Sequence, residues 1–181
     1  MKRGILFVVL LSVSLAAYWG WDYWRDHRYD EQILVAARHY QMPPELVKAV
    51  IWRESLFNAQ ARGRAGELGL MQIRAVAALE WAKSEHLAAF QHENCLDPLT
   101  NALAGTWYLK KAIHRYSQTD NPIPYALAEY NAGRSHLLKW NYGAANTNSE
   151  RFVEQIKYPS TKRYVEGIMG RQERYKGTLG N

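Results

Sequence analysis

Residues 43–57, PPELVKAVIWRESLF, constrain the fold most. Pro44 suits a first helical turn, and Val47, Val50 and Ile51 recur at helical spacing, so the segment reads as an amphipathic helix. Glu54 falls on the same stripe, seven residues after Val47 and three after Ile51. A helix turns so that these positions share one face, which puts a carboxylate where a core residue is expected. A carboxyl held against apolar neighbours keeps its proton to higher pH, as a general acid near neutrality requires. The plainer alternatives are a paired core glutamate or an exposed one at a frayed helix end.

The rest of the chain repeats this helical grammar. EQILVAARHYQ (31–41), LMQIRAVAALEWAKSEHLAAF (70–90) and the stretch from Asp97-Pro98 to about Tyr116 read as helices, the last with Asp97 as N-cap and Pro98 at the first helical position. YALAEYNA (125–132) is a short helix stopped by Gly133, and a final helix follows Pro159. Thr147 and Glu150 have capping-box spacing for a helix after residue 148. ARGRAGELG (61–69), with three glycines, is a loop. No run shows strand-like alternation. The expected class is all-α: one domain of six to eight helices over residues 30–175, with a 176–181 tail.

The N-terminus has an export layout. Lys2 and Arg3 precede the weakly polar to apolar run of residues 5–17, and Tyr18, Trp19, Trp21, Tyr23 and Trp24 follow. Residues 4–21 reach the minimum length for a bilayer span, with the aromatic cluster as an interfacial belt and the basic start inside. A signal anchor over 1–21 is one expectation. A cleaved signal peptide, with Ser14-Leu15-Ala16 as the small-x-small site, is the other. Residues 22–29 read as a linker. Both expectations place residues 30–181 outside the inner membrane.

The net charge is +6; Lys2, Arg3, Arg25 and Arg28 against Asp22 and Asp26 contribute +2, leaving +4 for the rest. That bias is too weak and too dispersed to argue for nucleic acid. The single cysteine, Cys95, excludes an intrachain disulfide. His92 and Cys95 have H-x-x-C spacing, but no further ligands stand at matching positions, so no metal is expected.

Three segments carry more. Glu54-Ser55, then Gly69-Leu70-Met71-Gln72, then Ala128-Glu129-Tyr130-Asn131-Ala132-Gly133 together resemble the signature of the lytic transglycosylase catalytic domain, a family related to goose-type lysozyme. RESLFN (53–58), LDPLTNALAGTWYL (96–109) and IKYPSTKRYV (156–165) extend the resemblance over about residues 40–170. It implies a lysozyme-like helical fold with a groove for peptidoglycan glycan strands. It also implies cleavage of the MurNAc–GlcNAc bond, with a 1,6-anhydro ring left on the muramic residue and no cofactor. Glu54 is then the acid and later the base. Gln72 and Met71 line the groove, with plain core packing the alternative for Met71, and Tyr130 orients Glu54 or the N-acetyl group, with a core position its alternative. Asn131 and Tyr164 line the groove, and Ser55 supports substrate or helix.

The chain departs from the family pattern at three places. Gly63 stands where serine is common, Glu67 stands where a small residue is usual, and Ile73-Arg74-Ala75-Val76 replaces the Pro and Thr that usually follow Gln72. Two other readings stay open. One is a muramidase hydrolysing the same bond, with Glu67 or Asp97 positioning water; Glu129 is a further carboxylate near a motif. The other is a non-catalytic glycan-binding module of an envelope machine, with partners the sequence does not identify.

Overall fold

A computed structural model describes residues 2–179, with side chains of residue 7 and residues 10–179. Its helices are α1 (Lys2–His27), α2 (Asp30–Tyr40), α3 (Pro44–Ser55), α4 (Ala75–Ser84), α5 (Pro98–Arg115), α6 (Ile123–Ala132), α7 (Arg134–Trp140), α8 (Ser149–Gln155) and α9 (Pro159–Tyr175). Two short 3-10 turns, His92–Leu96 and Gly143–Asn146, complete the order. Among the described residues no strand forms; only isolated bridges, Arg62 with Leu68 and Leu68 with Ile73, close the glycine-rich loop.

The middle of α6 is buried almost all round, from Pro124 to Glu129. A helix without a polar face belongs inside, and α5, α7, α8 and α9 pack around it. α3 lies against α9, and α2 against α3 and α5. The apolar stripe of α3 anchors this layer: Leu46, Val47, Val50 and Ile51 are fully buried, each contributing about 1.5–3 kcal/mol of hydrophobic stabilisation.

α3 ends abruptly at Ser55. Leu56 and Phe57 both adopt left-handed backbone, with φ of 50° and 62°. That conformation costs about 1–2 kcal/mol for an L-residue. At Phe57 the cost is offset, because its ring is fully buried and its carbonyl accepts from the Arg28 guanidinium. The stop leaves Glu54 in the last turn of the helix.

Three sequence expectations change. The helix expected over 70–90 is confined to 75–84, because Ile73 exchanges backbone hydrogen bonds with Leu68 and Gln72 turns left-handed at φ 49°. The cap of α8 is Asn148, whose side chain accepts from Arg151 N–H at 2.9 Å, rather than Thr147. Residues 22–27, read as linker, are the last turns of α1. They are pinned to the domain: Tyr175 Oη donates to Asp26 Oδ1 at 2.9 Å, and the fully buried Lys48 Nζ stands 3.4 Å from His27 Nδ1.

The expected span over residues 4–21 lies within α1, and the side chains of its residues 4–6, 8 and 9 lie outside those described. Among the described residues, no helix is long and apolar enough to cross a membrane. Phe7, Leu10, Leu11, Val13 and Leu15, and the aromatic cluster from Tyr18 to Trp24, are exposed on α1.

Candidate active site

Glu54 lines a cavity of about 350 Å³ whose walls also include Glu67, Gln72, Ile73, Arg74, Tyr108, Glu129, Tyr130, Asn131 and Gly133. The cavity lies between the end of α3, the loop before α4, and the end of α6. Burial is the largest influence on the Glu54 carboxyl and pushes its pKa up from the usual 4.5 to about 7. Tyr164 and Arg53 act the other way, and Glu67 adds to the rise.

Tyr164, on α9, is buried and does not line the cavity. Its hydroxyl donates to Glu54 Oε1 at 2.5 Å. Burial pushes that hydroxyl's own pKa far above the ordinary value, so it stays a donor while Glu54 loses and regains a proton. Tyr164 therefore reaches the cavity only through Glu54.

The hydroxyl of Tyr130 donates to the Met71 carbonyl at 2.7 Å, not to Glu54. Tyr130 walls the cavity and ties α6 to the glycine-rich loop. Met71 takes the core-packing alternative: its side chain is fully buried, and its Sδ fits against Gly105, where a Cβ would come within 2.4 Å. A sugar face has no path to that thioether. Ser55 Oγ donates back to the Ile51 carbonyl at 3.2 Å, supporting the helix.

Gln72 lines the cavity with its amide already half used. Nε2 donates to the Gly69 carbonyl at 2.9 Å and to the Ala61 carbonyl at 3.2 Å. Two carbonyl partners identify that atom as nitrogen, so Gln72 offers the cavity an acceptor oxygen. Asn131 also lines the cavity, and its Oδ1 accepts from Thr161 Oγ1 at 2.9 Å.

The other carboxylates divide clearly. Asp97 is spent as the α5 cap, accepting from Thr100 N–H and Oγ1 at 2.8 and 2.7 Å, and it lies outside the Glu54 cavity. Glu129 is buried and accepts from the Arg115 guanidinium and, at 2.5 Å, from the Tyr116 hydroxyl. Glu67 accepts from Ala65 N–H at 3.0 Å and faces Arg74 Nε at 3.2 Å. Glu67 and Glu129 both line the cavity, but the Arg74 side chain facing Glu67 is 64% exposed, against 28% for the Arg115 side chain that holds Glu129.

Sequence reasoning missed Asn101. Fully buried on α5, it donates to the Leu68 and Cys95 carbonyls at 2.8 and 2.6 Å and accepts from Met71 N–H at 2.7 Å. It clips the loop that carries Gln72. An asparagine on the buried face of an apolar helix was the available signal. The H-x-x-C pair is structural: His92 Nε2 meets the Ile73 carbonyl at 2.8 Å, and Cys95 is buried with its thiol pKa pushed up to about 12.

Among the described residues, fold and site define an all-helical domain with a carboxyl of raised pKa, Glu54, lining a polar cavity. The chain belongs to the family described as Transglycosylase SLT domain, which matches residues 31–153. The soluble lytic murein transglycosylase of Escherichia coli is 29% identical over 143 residues, 78% of this chain and 22% of that protein. The membrane-bound lytic murein transglycosylase F of Desulfosudis oleivorans is 33% identical over 118 residues, 64% of this chain and 24% of its own. Among solved structures, an inactive mutant of lytic transglycosylase Slt from Pseudomonas aeruginosa superposes with TM-score 0.76 at 21% identity, over 84% of this chain and 24% of that one. The 70 kDa soluble lytic transglycosylase from Escherichia coli superposes with TM-score 0.74 at 25% identity, over 84% and 25%. The chain thus spans about a quarter of the length of these proteins.

Proposed function

We propose that this chain is a peptidoglycan lytic transglycosylase that cleaves the MurNAc–GlcNAc bond and leaves 1,6-anhydro-MurNAc ends. The observation that carries the reading is Glu54, a carboxyl of pKa about 7 in the groove, with a permanent donor behind it. Near neutrality such a group serves as both acid and base.

Glu54 gives its proton to the glycosidic oxygen as the C1–O bond breaks. The sugar's own N-acetyl oxygen supports the positive charge at C1, while Tyr164 stabilises the new carboxylate. Glu54 then takes the proton of the 6-hydroxyl as that oxygen closes on C1. The catalyst returns to its starting form and no water enters. Only one free carboxyl is required, in contrast to two-carboxylate glycosidases. The acceptor oxygen of Gln72 and the amide nitrogen of Asn131 supply complementary hydrogen-bonding groups for sugar hydroxyl and N-acetyl groups.

Hydrolysis is the second reading, favoured by Glu67 in the same cavity. Mass spectrometry of fragments released from purified peptidoglycan separates the two. Anhydro ends, lighter by one water than hydrolysis products and absent with Glu54→Gln, are expected. Reducing ends carrying water would replace the proposal with a muramidase. A folded protein that releases nothing would leave only a binding role.

We further infer that the domain works in the cell envelope, on the periplasmic side of the inner membrane. The sequence pattern of residues 1–24 and the exposed aromatic cluster on α1 support that placement and an anchoring role for residues 4–21. Carbonate extraction of cell membranes tests the anchor: the chain is expected to stay with the pellet, and release into the supernatant would refute it.

A further inference from the structure

The two departures from the family pattern in the glycine-rich loop meet in space. A Cβ on Gly63 would stand 2.2 Å from Glu67 Oε2, 2.9 Å from Glu67 Cβ and 2.9 Å from Gln72 Oε1. A serine at 63 and the present Glu67 conformation exclude one another. The present seat of the Glu67 carboxylate therefore requires glycine at 63.

Glu67 is held where it is. Gly63 N–H donates to its backbone carbonyl at 2.8 Å, Ala65 N–H to Oε2 at 3.0 Å, and Arg74 Nε faces Oε1 at 3.2 Å. The Arg74 side chain is 64% exposed and that of Glu67 24% exposed, so solvent screens the cation more than the carboxylate.

The charged and titratable groups facing Glu54 come from every side of the cavity. Arg53 precedes it on α3, Tyr164 approaches from α9 and Tyr130 from α6. Glu67 and Arg74 stand on the loop side, and Glu129 is neutralised by Arg115. The like charge left acting on Glu54 is Glu67.

We propose that Glu67 is a positioning residue for the acid: seated where a serine side chain would otherwise stand, it holds Glu54 in its protonated form at the pH of cleavage. The inference rests on the reading of Glu54 as general acid. Glu67 acts in the same direction as burial, the largest influence on that carboxyl. It acts again after the first step, since a Glu54 carboxylate facing a second carboxylate is a stronger base toward the 6-hydroxyl.

The test is the titration of the Glu54 side-chain carboxyl by carbon-13 NMR, assigned with Glu54→Gln, alongside the pH profile of cleavage. Glu67→Gln keeps the shape and removes the charge. Gly63→Ser with Glu67→Ala rebuilds the serine-type loop. Both are expected to lower the Glu54 midpoint by on the order of half a pH unit and to move the alkaline limb of kcat down by the same amount. Arg74→Gln is expected to move both upward. An unmoved midpoint in Glu67→Gln, with activity merely reduced, would show a structural role only and overturn the proposal. A midpoint that shifts in a chain that cuts no glycan would instead sink the functional reading and leave the coupling standing.

Discussion

Glu54 should weaken the fold as pH rises, and Glu54→Gln should remove that weakness. Its folded-state pKa is raised from 4.5 to about 7. Between those values the folded protein keeps a proton that the unfolded chain has released. The stability contribution is therefore fully present below about pH 4.5, falls as pH climbs toward 7, and is constant above. At about 1.4 kcal/mol per pH unit the gap sets a ceiling of about 3 kcal/mol. Glu54 is only part-buried, and solvent screening brings the expectation to about 2 kcal/mol. Glutamine is uncharged throughout, keeps the shape, and gives the Tyr164 hydroxyl an amide oxygen in place of Oε1. Wild type and Glu54→Gln should then match near pH 4.5. Near pH 8 the variant should be the more stable by about 2 kcal/mol, or roughly 4–8 °C in Tm for a chain of this size. Urea unfolding of both proteins in steps from about pH 4 to 8 measures the difference directly. Parallel curves, or a variant less stable at pH 8, would mean that burial does not hold Glu54 neutral, and the mechanism would lose its acid. The same substitution should abolish cleavage, so function and stability move in opposite directions.

Two further outcomes follow from the hydrogen bonds. Tyr164→Phe removes the donor that favours the Glu54 carboxylate, so the alkaline limb of kcat should move up by about one pH unit; a downward move would contradict the geometry. Asn101→Ala breaks all three bonds of the loop clip and should cost about 3 kcal/mol of stability, with faster hydrogen exchange at the Met71 amide; unchanged exchange there would show the clip is not what holds the loop.

Helical spacing with Pro44 located α3, and the start signals Asp97-Pro98 and Pro159 located α5 and α9, because caps and first-turn prolines are written in adjacent residues. The ordered motifs named Glu54, Gln72, Tyr130 and Asn131, and the structure brings these four to one cavity. What the motifs did not reveal was which atom of each side chain is free. Gln72 has its nitrogen tied down by loop carbonyls, and Tyr130 spends its hydroxyl on Met71. The Tyr130 bond joins positions 59 residues apart, and the Gln72 bonds depend on how an irregular loop turns, so neither leaves a periodicity to betray it. Met71 shows the converse difficulty: a residue inside a groove motif can serve the groove through its backbone carbonyl while its side chain fills the core against Gly105. Gly63 and Glu67 stood out as two separate departures, and only the coordinates show that they compete for the same space.

The fastening of α1 has a mechanical meaning. This helix runs unbroken from Lys2 to His27, about 39 Å at 1.5 Å per residue, and its foot is bolted to α9 through Asp26 and Tyr175. A domain on a string sweeps a sphere; a domain on a stiff strut keeps its height and heading. If the proposed anchor holds the far end of the strut, it also decides which way the Glu54 cavity points, and under the proposed function only glycan strands passing at one distance and inclination would be presented to it. On that reading the strut would make orientation a selective property of the domain.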